Sequence, residues 1–208
     1  VRVEMPGGKG ILVPEPLTSP DDMARLTTPS GSAAAAELVA TRLSHVLEGV
    51  RLIRKELKGE VPLIGFSAAP WTLFYYMVGG SSKKNQQEGE RWLVDHPTES
   101  ARLLDALCTV VIEYLSLQVE SGAQMLQVFE AMGEFITPPS FAAAAQPRMA
   151  AIAAELKQRH PDVPLMVFPR GAAYALGGLG ECGFDVLTLD ASANWATVRS
   201  ELPPVCLQ

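Results

Sequence analysis

The chain has 208 residues, of which 48% are hydrophobic, and a formal net charge of −6. This length and composition suit a globular domain with a sizeable core, and no stretch approaches the roughly 18 apolar residues of a membrane helix. The acidic balance, without any basic cluster, argues against nucleic acid or an anionic membrane as a partner. The opening residues, Val1 to Glu4, have the pattern of neither a signal peptide nor a transit peptide.

The cysteines point to a reducing compartment. Cys108, Cys182 and Cys206 show no paired spacing, so a disulfide framework is not expected. The chain also lacks Cys-x-x-Cys and His-x-Cys. These are spacings that hold zinc in many proteins, so we predict no metal site.

Residues 1–32 are predicted to form an irregular connection, because prolines and a turn cluster at 6–10 interrupt any long helix. Lys9 lies among the glycines of that cluster, but the ending of a phosphate-binding P-loop is missing, so we expect an exposed turn. From about Ala33 to Leu57, apolar residues recur at spacings of three and four. This pattern predicts one long helix.

A strand, a tight turn and a helix are predicted next. Val61–Phe66 is an apolar run of strand length, Ser67–Ala69 are small, and Pro70 suits the first turn of a helix. Small residues at the carboxyl end of a strand let a ligand approach the backbone, where α/β folds keep their sites. The aromatic residues at 71–76 are expected in the core, although a tyrosine near the strand end can turn its hydroxyl into a pocket. The following loop carries Lys83 and Lys84, which suit either an acidic ligand or solvent.

Strands and helices then alternate along the chain. Further strands are predicted at 123–129, 163–168 and 185–190, and 205–208 has the pattern of the beginning of another strand. Helices are predicted at 86–95, 97–122, 137–160 and 195–201. Gly178 to Gly183 matches the dinucleotide pattern G-x-G-x-x-G, but it follows a helix rather than a strand, so it is interpreted as a helix end. Continuous apolar strands separated by helices predict a parallel sheet with helices outside. The fold class is therefore α/β, of the (β/α)8 TIM-barrel type, incomplete, with about five of eight strands.

Polar residues occur in and after these strands. Gln124 and Gln127 interrupt an apolar run and suit either a ligand or mutual hydrogen bonding. Glu130 and Glu134 follow the same strand, where two acids form either a general acid and base pair or a solvated loop. Arg170 places a cation at the end of the next strand.

Residues 65–73, which read Gly65-Phe-Ser-Ala-Ala-Pro-Trp-Thr-Leu73 and are followed by Tyr76, resemble the internal signature of uroporphyrinogen decarboxylase. The resemblance continues through Gly122-Ala123-Gln124 and Val128-Phe129-Glu130 and covers the chain from near residue 3 to Gln208. Gly79 stands where that family usually has an acidic residue or alanine. The chain thus resembles a single domain, 1–208, truncated at both ends, with strands and helices alternating over 33–208.

The resemblance implies a (β/α)8 barrel that forms a homodimer and uses no cofactor. The family removes the four acetate carboxyl groups of uroporphyrinogen III to give coproporphyrinogen III, in the biosynthesis of heme and chlorophyll. The protonated pyrrole of the substrate is itself the electron sink. The resemblance also implies a location in the cytoplasm or the plastid. Neither a nucleic acid nor a membrane is expected as a partner.

The resemblance also assigns residues. Tyr76 matches the pocket tyrosine of the family, Phe66 and Phe129 match apolar walls, and Ala131 stands where the family usually has serine, so one substrate hydrogen bond is expected to be absent. The arginine-rich segment, the aspartate that receives the pyrrole N–H groups and the C-terminal histidine of the family have no counterpart here. Catalytic residues are therefore left unassigned, and the 208-residue chain alone is expected to be inactive.

Two alternatives remain open. The chain suits a short, non-catalytic protein derived from that family that binds porphyrinogen or a full-length partner. It also suits a barrel methyltransferase of the same superfamily, which would hold zinc through His and Cys, although the absence of His-x-Cys argues against this.

Overall fold

The structure is a computed structural model that describes residues 1–7, 10–191, 193–194, 196 and 198–208. Lys9, and Trp195 at the start of the helix predicted over 195–201, lie outside the described residues. The described strands are β1 (Ile64–Ala68), β2 (Met125–Glu130), β3 (Leu165–Pro169), β4 (Val186–Leu187) and β5 (Cys206–Leu207). The helices are α1 (Ser32–Arg42), α2 (Ser44–Glu56), α3 (Pro70–Gly79), α4 (Glu88–Asp95), α5 (Pro97–Glu120), α6 (Pro138–Ser140), α7 (Gln146–Arg159), α8 (Leu176–Gly180) and α9 (Val198–Glu201).

The five strands form one parallel sheet in the order β1-β2-β3-β4-β5. Each connection between neighbouring parallel strands is expected to be right-handed, which places all the connecting helices on one face. A doubly wound sheet would instead reverse its strand order at a switch point. The prediction of a barrel-type sheet, with five of the eight strands of a complete barrel, is confirmed by this order.

The two faces of the sheet differ in burial. Val128, Val167 and Leu187 are in register with one another, fully buried, and on the face covered by helices. On the opposite face, which points to the axis in a closed barrel, Phe66 is 59% exposed and Ile64 is 40% exposed. The core therefore lies between the sheet and its helices, and the axial face is open at β1, whereas Met166 on the same face of β3 is 3% exposed.

Some boundaries differ from the prediction. The predicted single helix over 33–57 is two helices, because Leu43 leaves helical geometry with φ −114° and ψ 19°. The Ser44 hydroxyl donates to the Thr41 carbonyl at 3.5 Å, a local bond that competes with the regular helix. The strand predicted at 61–66 begins three residues later, at Ile64, and it includes Ala68, which is in register with Phe129.

The edge of β1 that faces away from β2 is occupied by a side chain of α5. The Gln118 amide accepts from the Phe66 N–H at 3.1 Å and donates to the Phe66 carbonyl at 3.1 Å. The backbone groups of Leu63 and Ala69 bond to β2. Phe66 lies an odd number of residues from each of them, and backbone groups alternate in direction along a strand, so those of Phe66 point away from β2. Gly65 permits this approach, because a Cβ there would lie 2.9 Å from Gln118 Oε1.

Within the first 32 residues, the structure contains an antiparallel bridge between Glu4 and Leu12 and a 3-10 helix at Pro20–Arg25. The Gly178–Gly183 motif lies where α8 ends and before β4, which agrees with its interpretation as a helix end. No helix in the described part of the chain is both long enough and apolar enough to cross a membrane.

Candidate functional site

A cavity opens at the carboxyl ends of the first three strands and is called the mouth cavity here. Its volume is about 390 Å³, and it is lined by Phe66, Gln127, Phe129, Glu130, Ala131, Phe168 and Arg170. Phe129 is in register with Ala68 on one side and with Phe168 on the other, so the aromatic residues share the axial face of the sheet. The rings of Phe66 and Phe129 are tilted against each other with centroids 6.1 Å apart. The strand register therefore builds an apolar wall for a flat ligand.

Two polar groups stand beside this wall. The Gln127 side chain makes no hydrogen bond with the described residues, so its amide is available to a ligand in the cavity. Arg170 follows β3, and its Nη2 donates to the Ala131 carbonyl at 3.1 Å. Arg170 forms no ion pair with a carboxylate of the described part of the chain. It therefore supplies a positive charge at the cavity, next to the Asp190 carboxylate that accepts from the Gly171 N–H at 2.9 Å.

Glu130 ends β2 and is the most buried charged residue near the site, with 1% of its surface exposed. Its Oε1 accepts from the Thr72 hydroxyl and from the Met132 N–H at 2.8 Å. Burial raises the pKa of Glu130 to about 7, although the bonds from Thr72 and the nearby amides act in the opposite direction. The carboxyl is thus partly protonated near neutral pH, and less negative charge stands behind the cavity than the sequence implies.

The loop after β2 is fixed by further hydrogen bonds. The Ala131 N–H donates to Thr72 Oγ1 at 2.8 Å, and the Trp71 indole donates to the Met132 carbonyl at 3.0 Å. The Tyr174 hydroxyl lies 2.9 Å from the Gly133 carbonyl. Burial, together with the charges of Glu130 and Glu90, raises the pKa of Tyr174 to about 12, so this hydroxyl remains a donor. Side chains from α3 and from the segment after β3 therefore hold the backbone that forms one side of the cavity.

The structure brings together three of the four predicted binding residues. Phe66, Phe129 and Ala131 line the mouth cavity, as predicted. Tyr76 does not line it, which corrects the expectation of one shared cavity. It lines a separate space of about 120 Å³, called the side pocket, whose walls include Lys83 and Met132. The reason is that α3 packs over the loop after β2, where Tyr75 stacks on Phe135 with ring centroids 5.4 Å apart.

Other expectations are resolved by burial and bonding. Of the two acids after β2, Glu134 is exposed, as expected of a solvated loop, whereas Glu130 is buried against Thr72, so a solvated position is wrong for Glu130. The general acid and base pair stays a prediction. Gln124 and Gln127 do not bond to each other: Gln124 Oε1 accepts from the Leu63 N–H at 3.3 Å, whereas Gln127 lines the cavity.

Two residues of the site were not predicted from the sequence. Phe168 lines the mouth cavity, and its position could have been inferred, since it is the last residue of the strand predicted at 163–168, as Phe129 is of the strand predicted at 123–129. Thr72 bonds to a carboxylate 58 residues away in the chain, and no local pattern signals such a contact. Among the described residues, no group of three or more His, Cys, Asp or Glu side chains is arranged to hold a metal ion.

Comparison with known proteins places the chain in a family. The family model described as uroporphyrinogen decarboxylase (URO-D) matches residues 1–208. The chain belongs to the uroporphyrinogen decarboxylase family. The uroporphyrinogen decarboxylase of Salinibacter ruber is 46% identical over 194 residues, which are 93% of this chain and 52% of that protein.

More distant members of the uroporphyrinogen decarboxylase family match over the same extent. The Dictyostelium discoideum protein is 37% identical over 200 residues, covering 96% of this chain and 53% of its own length. The human protein is 37% identical over 195 residues, covering 91% and 51%. The chain therefore spans about half the length of these relatives.

A solved structure supports the fold. A methyltransferase from Methanosarcina mazei superposes with a TM-score of 0.70 at 20% identity, over 89% of this chain and 51% of that one. At this identity the likeness concerns the fold alone. In the sequence matches and in this superposition alike, the chain covers about half the length of the other protein.

Proposed function

We propose that this chain forms one side of the porphyrinogen-binding cavity of a uroporphyrinogen decarboxylase. The complete protein would convert uroporphyrinogen III to coproporphyrinogen III within tetrapyrrole biosynthesis, the source of heme and chlorophyll. The observation that supports this best is the mouth cavity, which combines three phenylalanine side chains with the cation of Arg170. A tetrapyrrole offers apolar ring faces and a carboxylate rim, and these two features match that combination.

The apolar wall suits the pyrrole rings. Phe66 presents 59% of its surface to the open side of the sheet, and Phe129 stands beside it. Covering such aromatic surface with a ring system removes apolar area from water, which is worth about 25 cal/mol for each Å². We therefore assign Phe66, Phe129 and Phe168 to contacts with the macrocycle.

The reaction needs no group from the protein to accept electrons. A ring carbon of the pyrrole takes up a proton, the bond between the acetate methylene and its carboxylate breaks, and carbon dioxide leaves with the electron pair retained by the ring. The methylene then takes up a proton and becomes a methyl group, while the first proton is returned. The protein contributes by positioning the substrate and stabilising the charge that develops.

Charge distribution supports a polyanionic ligand. Eight carboxylates can be held only if cations or strong donors compensate them. Arg170 is such a cation, and the raised pKa of Glu130 reduces the negative charge behind the cavity. A bound polyanion would raise that pKa further, so binding should be coupled to proton uptake by Glu130.

The 208-residue chain alone should bind uroporphyrinogen III but not decarboxylate it at a useful rate. Its axial face is open at β1, and the residues assigned here bind rather than donate protons. Binding can be measured anaerobically from the quenching of intrinsic fluorescence, and turnover from chromatography of the oxidised porphyrins. Turnover comparable to that of a complete relative would contradict the assignment of this chain to one side of the site.

A matched pair of variants tests the cavity itself. Phe129→Ala removes a ring of the apolar wall and should weaken uroporphyrinogen binding about tenfold or more, whereas Val94→Ala, at a residue that is 72% exposed on α4, should leave binding unchanged. Equal affinity of the two variants would show that the ligand does not occupy the mouth cavity.

We also propose, from the resemblance to the family, that the complete protein is a homodimer. Light scattering of the complete protein at several concentrations would test this, and a monomer at every concentration would refute it.

A further inference from the structure

The side pocket lies next to the mouth cavity but has a different chemical character. Met132 and Phe135 form its apolar side, and Tyr76, Ser82 and Lys83 provide polar groups around it. The two spaces adjoin at the loop after β2, because Met132 of the side pocket directly follows Ala131 of the mouth cavity and consecutive Cα atoms lie about 3.8 Å apart. A ligand in the mouth cavity could therefore extend one substituent into the side pocket.

The polar groups of the side pocket are available to a ligand. Lys83 Nζ forms no ion pair with the described residues, and the Tyr76 hydroxyl makes no hydrogen bond with them. Ser82 Oγ accepts from the Lys84 N–H at 3.3 Å, which leaves its own hydroxyl hydrogen free to donate. The lining thus includes one cation and the hydroxyls of Tyr75, Tyr76, Ser81 and Ser82, a combination that suits a small anion.

The surroundings of the side pocket do not neutralise Lys83. Glu88, at the start of α4, is paired with Arg91 at 3.2 Å. Glu134 is close enough to contribute to the raised pKa of Tyr75, after burial and Tyr76, but it forms no ion pair within the described part of the chain. An anionic ligand would therefore compete with no carboxylate already bound to Lys83.

We infer that the side pocket binds one carboxylate side arm of the ligand, with Lys83 as the counterion and the hydroxyls of Tyr76 and Ser82 as donors. A water-sized group takes about 30 Å³, so the pocket, with a volume of about 120 Å³, has room for the four heavy atoms of an acetate side chain. The inference rests on the proposed function for the identity of the arm. Recognition of a carboxylate rests on the side pocket alone.

The first experiment tests carboxylate binding without any porphyrinogen. Protein with 13C-labelled lysine is titrated with sodium acetate, with sodium chloride as the reference at equal ionic strength, and the Lys83 Cε signal is assigned with Lys83→Met. Its shift should saturate with acetate, whereas the Lys84 signal should follow chloride and acetate equally. A Lys83 signal that responds equally to both salts would overturn the inference.

The second experiment tests whether the arm belongs to the tetrapyrrole. Lys83→Met keeps the aliphatic stem and removes the charge, and it should weaken uroporphyrinogen binding about tenfold. Lys83→Arg should retain most of the affinity, and Lys84→Met, at a neighbouring exposed lysine outside the pocket, should bind as the unmodified chain does. Coproporphyrinogen, which has lost its acetate carboxylates, should be affected less by Lys83→Met.

The outcomes separate the two proposals. Normal uroporphyrinogen binding by Lys83→Met, together with weakened binding by Phe129→Ala, would overturn the carboxylate subsite and leave the proposed function intact. A saturable acetate response in a chain that binds no porphyrinogen would do the opposite: the proposed function would fail and the subsite would stand.

Discussion

Replacing Glu130 by Gln should change how the stability of the chain depends on pH. Glu130 is fully buried, and its pKa is raised from the ordinary value near 4.5 to about 7, chiefly by burial. Between these two values the folded state holds more protons than the unfolded state, so the free energy of unfolding falls as the pH rises. A pKa shift of one unit corresponds to about 1.4 kcal/mol. The shift of Glu130 from 4.5 to about 7 should therefore lower the free energy of unfolding by about 3 kcal/mol between pH 4.5 and pH 8.

The measurement is urea unfolding of both proteins at pH 5, 6, 7 and 8, followed by circular dichroism. The substituted amide cannot ionise, so the stability of Glu130→Gln relative to the original chain should rise by up to about 3 kcal/mol over this range. The unpaired amide hydrogens that the substitution introduces carry a cost of about 1 to 3 kcal/mol, but this cost does not depend on pH.

Two controls sharpen this experiment. Glu134→Gln removes an exposed carboxylate from the same loop and should leave the pH dependence unchanged. Thr72→Val removes a hydrogen bond that lowers the pKa of Glu130. The fall in the free energy of unfolding should therefore extend to a higher pH in this variant. A difference between Glu130→Gln and the original chain that is constant from pH 5 to pH 8 would refute the raised pKa.

Other substitutions test the cavity and the helix layer. Arg170→Met should weaken uroporphyrinogen binding about tenfold and reduce its salt dependence, while Arg102→Met, at an exposed position on α5, should do neither; equal effects would refute a specific role. Ala131→Ser places a hydroxyl in the mouth cavity and should strengthen binding by up to about 1 kcal/mol, measured by the same fluorescence titration; weaker binding would refute this position. Arg159→Met should destabilise the chain by about 3 kcal/mol in urea unfolding. The reason is that Glu113, whose side chain is 7% exposed, loses both of its 2.9 Å bonds to the Arg159 guanidinium. Adding Glu113→Gln should recover most of the loss.

The parallel sheet could be predicted from the sequence because its signal is local and repeated. Each strand is a short apolar run followed by small or turn residues and then a helix, and this alternation requires parallel neighbours. Strand boundaries were less accurate, since they depend on register: Ala68 belongs to β1 only because Phe129 stands opposite it. The helix break at Leu43 is a departure of a single residue from helical φ and ψ, and the apolar periodicity of the sequence continues across it.

The site was predictable only where it follows from strand periodicity. Phe66 and Phe129 face the cavity because alternate residues of a strand share a face. Glu130 has the opposite parity and lies on the buried face with Leu126 and Val128. The sequence could not reveal its partner, Thr72, because the contact depends on how α3 packs.

The Gln118 contact at the edge of β1 has a consequence for amide hydrogen exchange. A peptide group of a neighbouring strand would offer Phe66 one acceptor and one donor, and the Gln118 amide offers the same pair. The Phe66 N–H should therefore exchange slowly with solvent deuterium, while the N–H of Ile64, on the same side of β1, should exchange fast. Any strand that pairs with this side of β1 must either displace Gln118 or leave Phe66 to it.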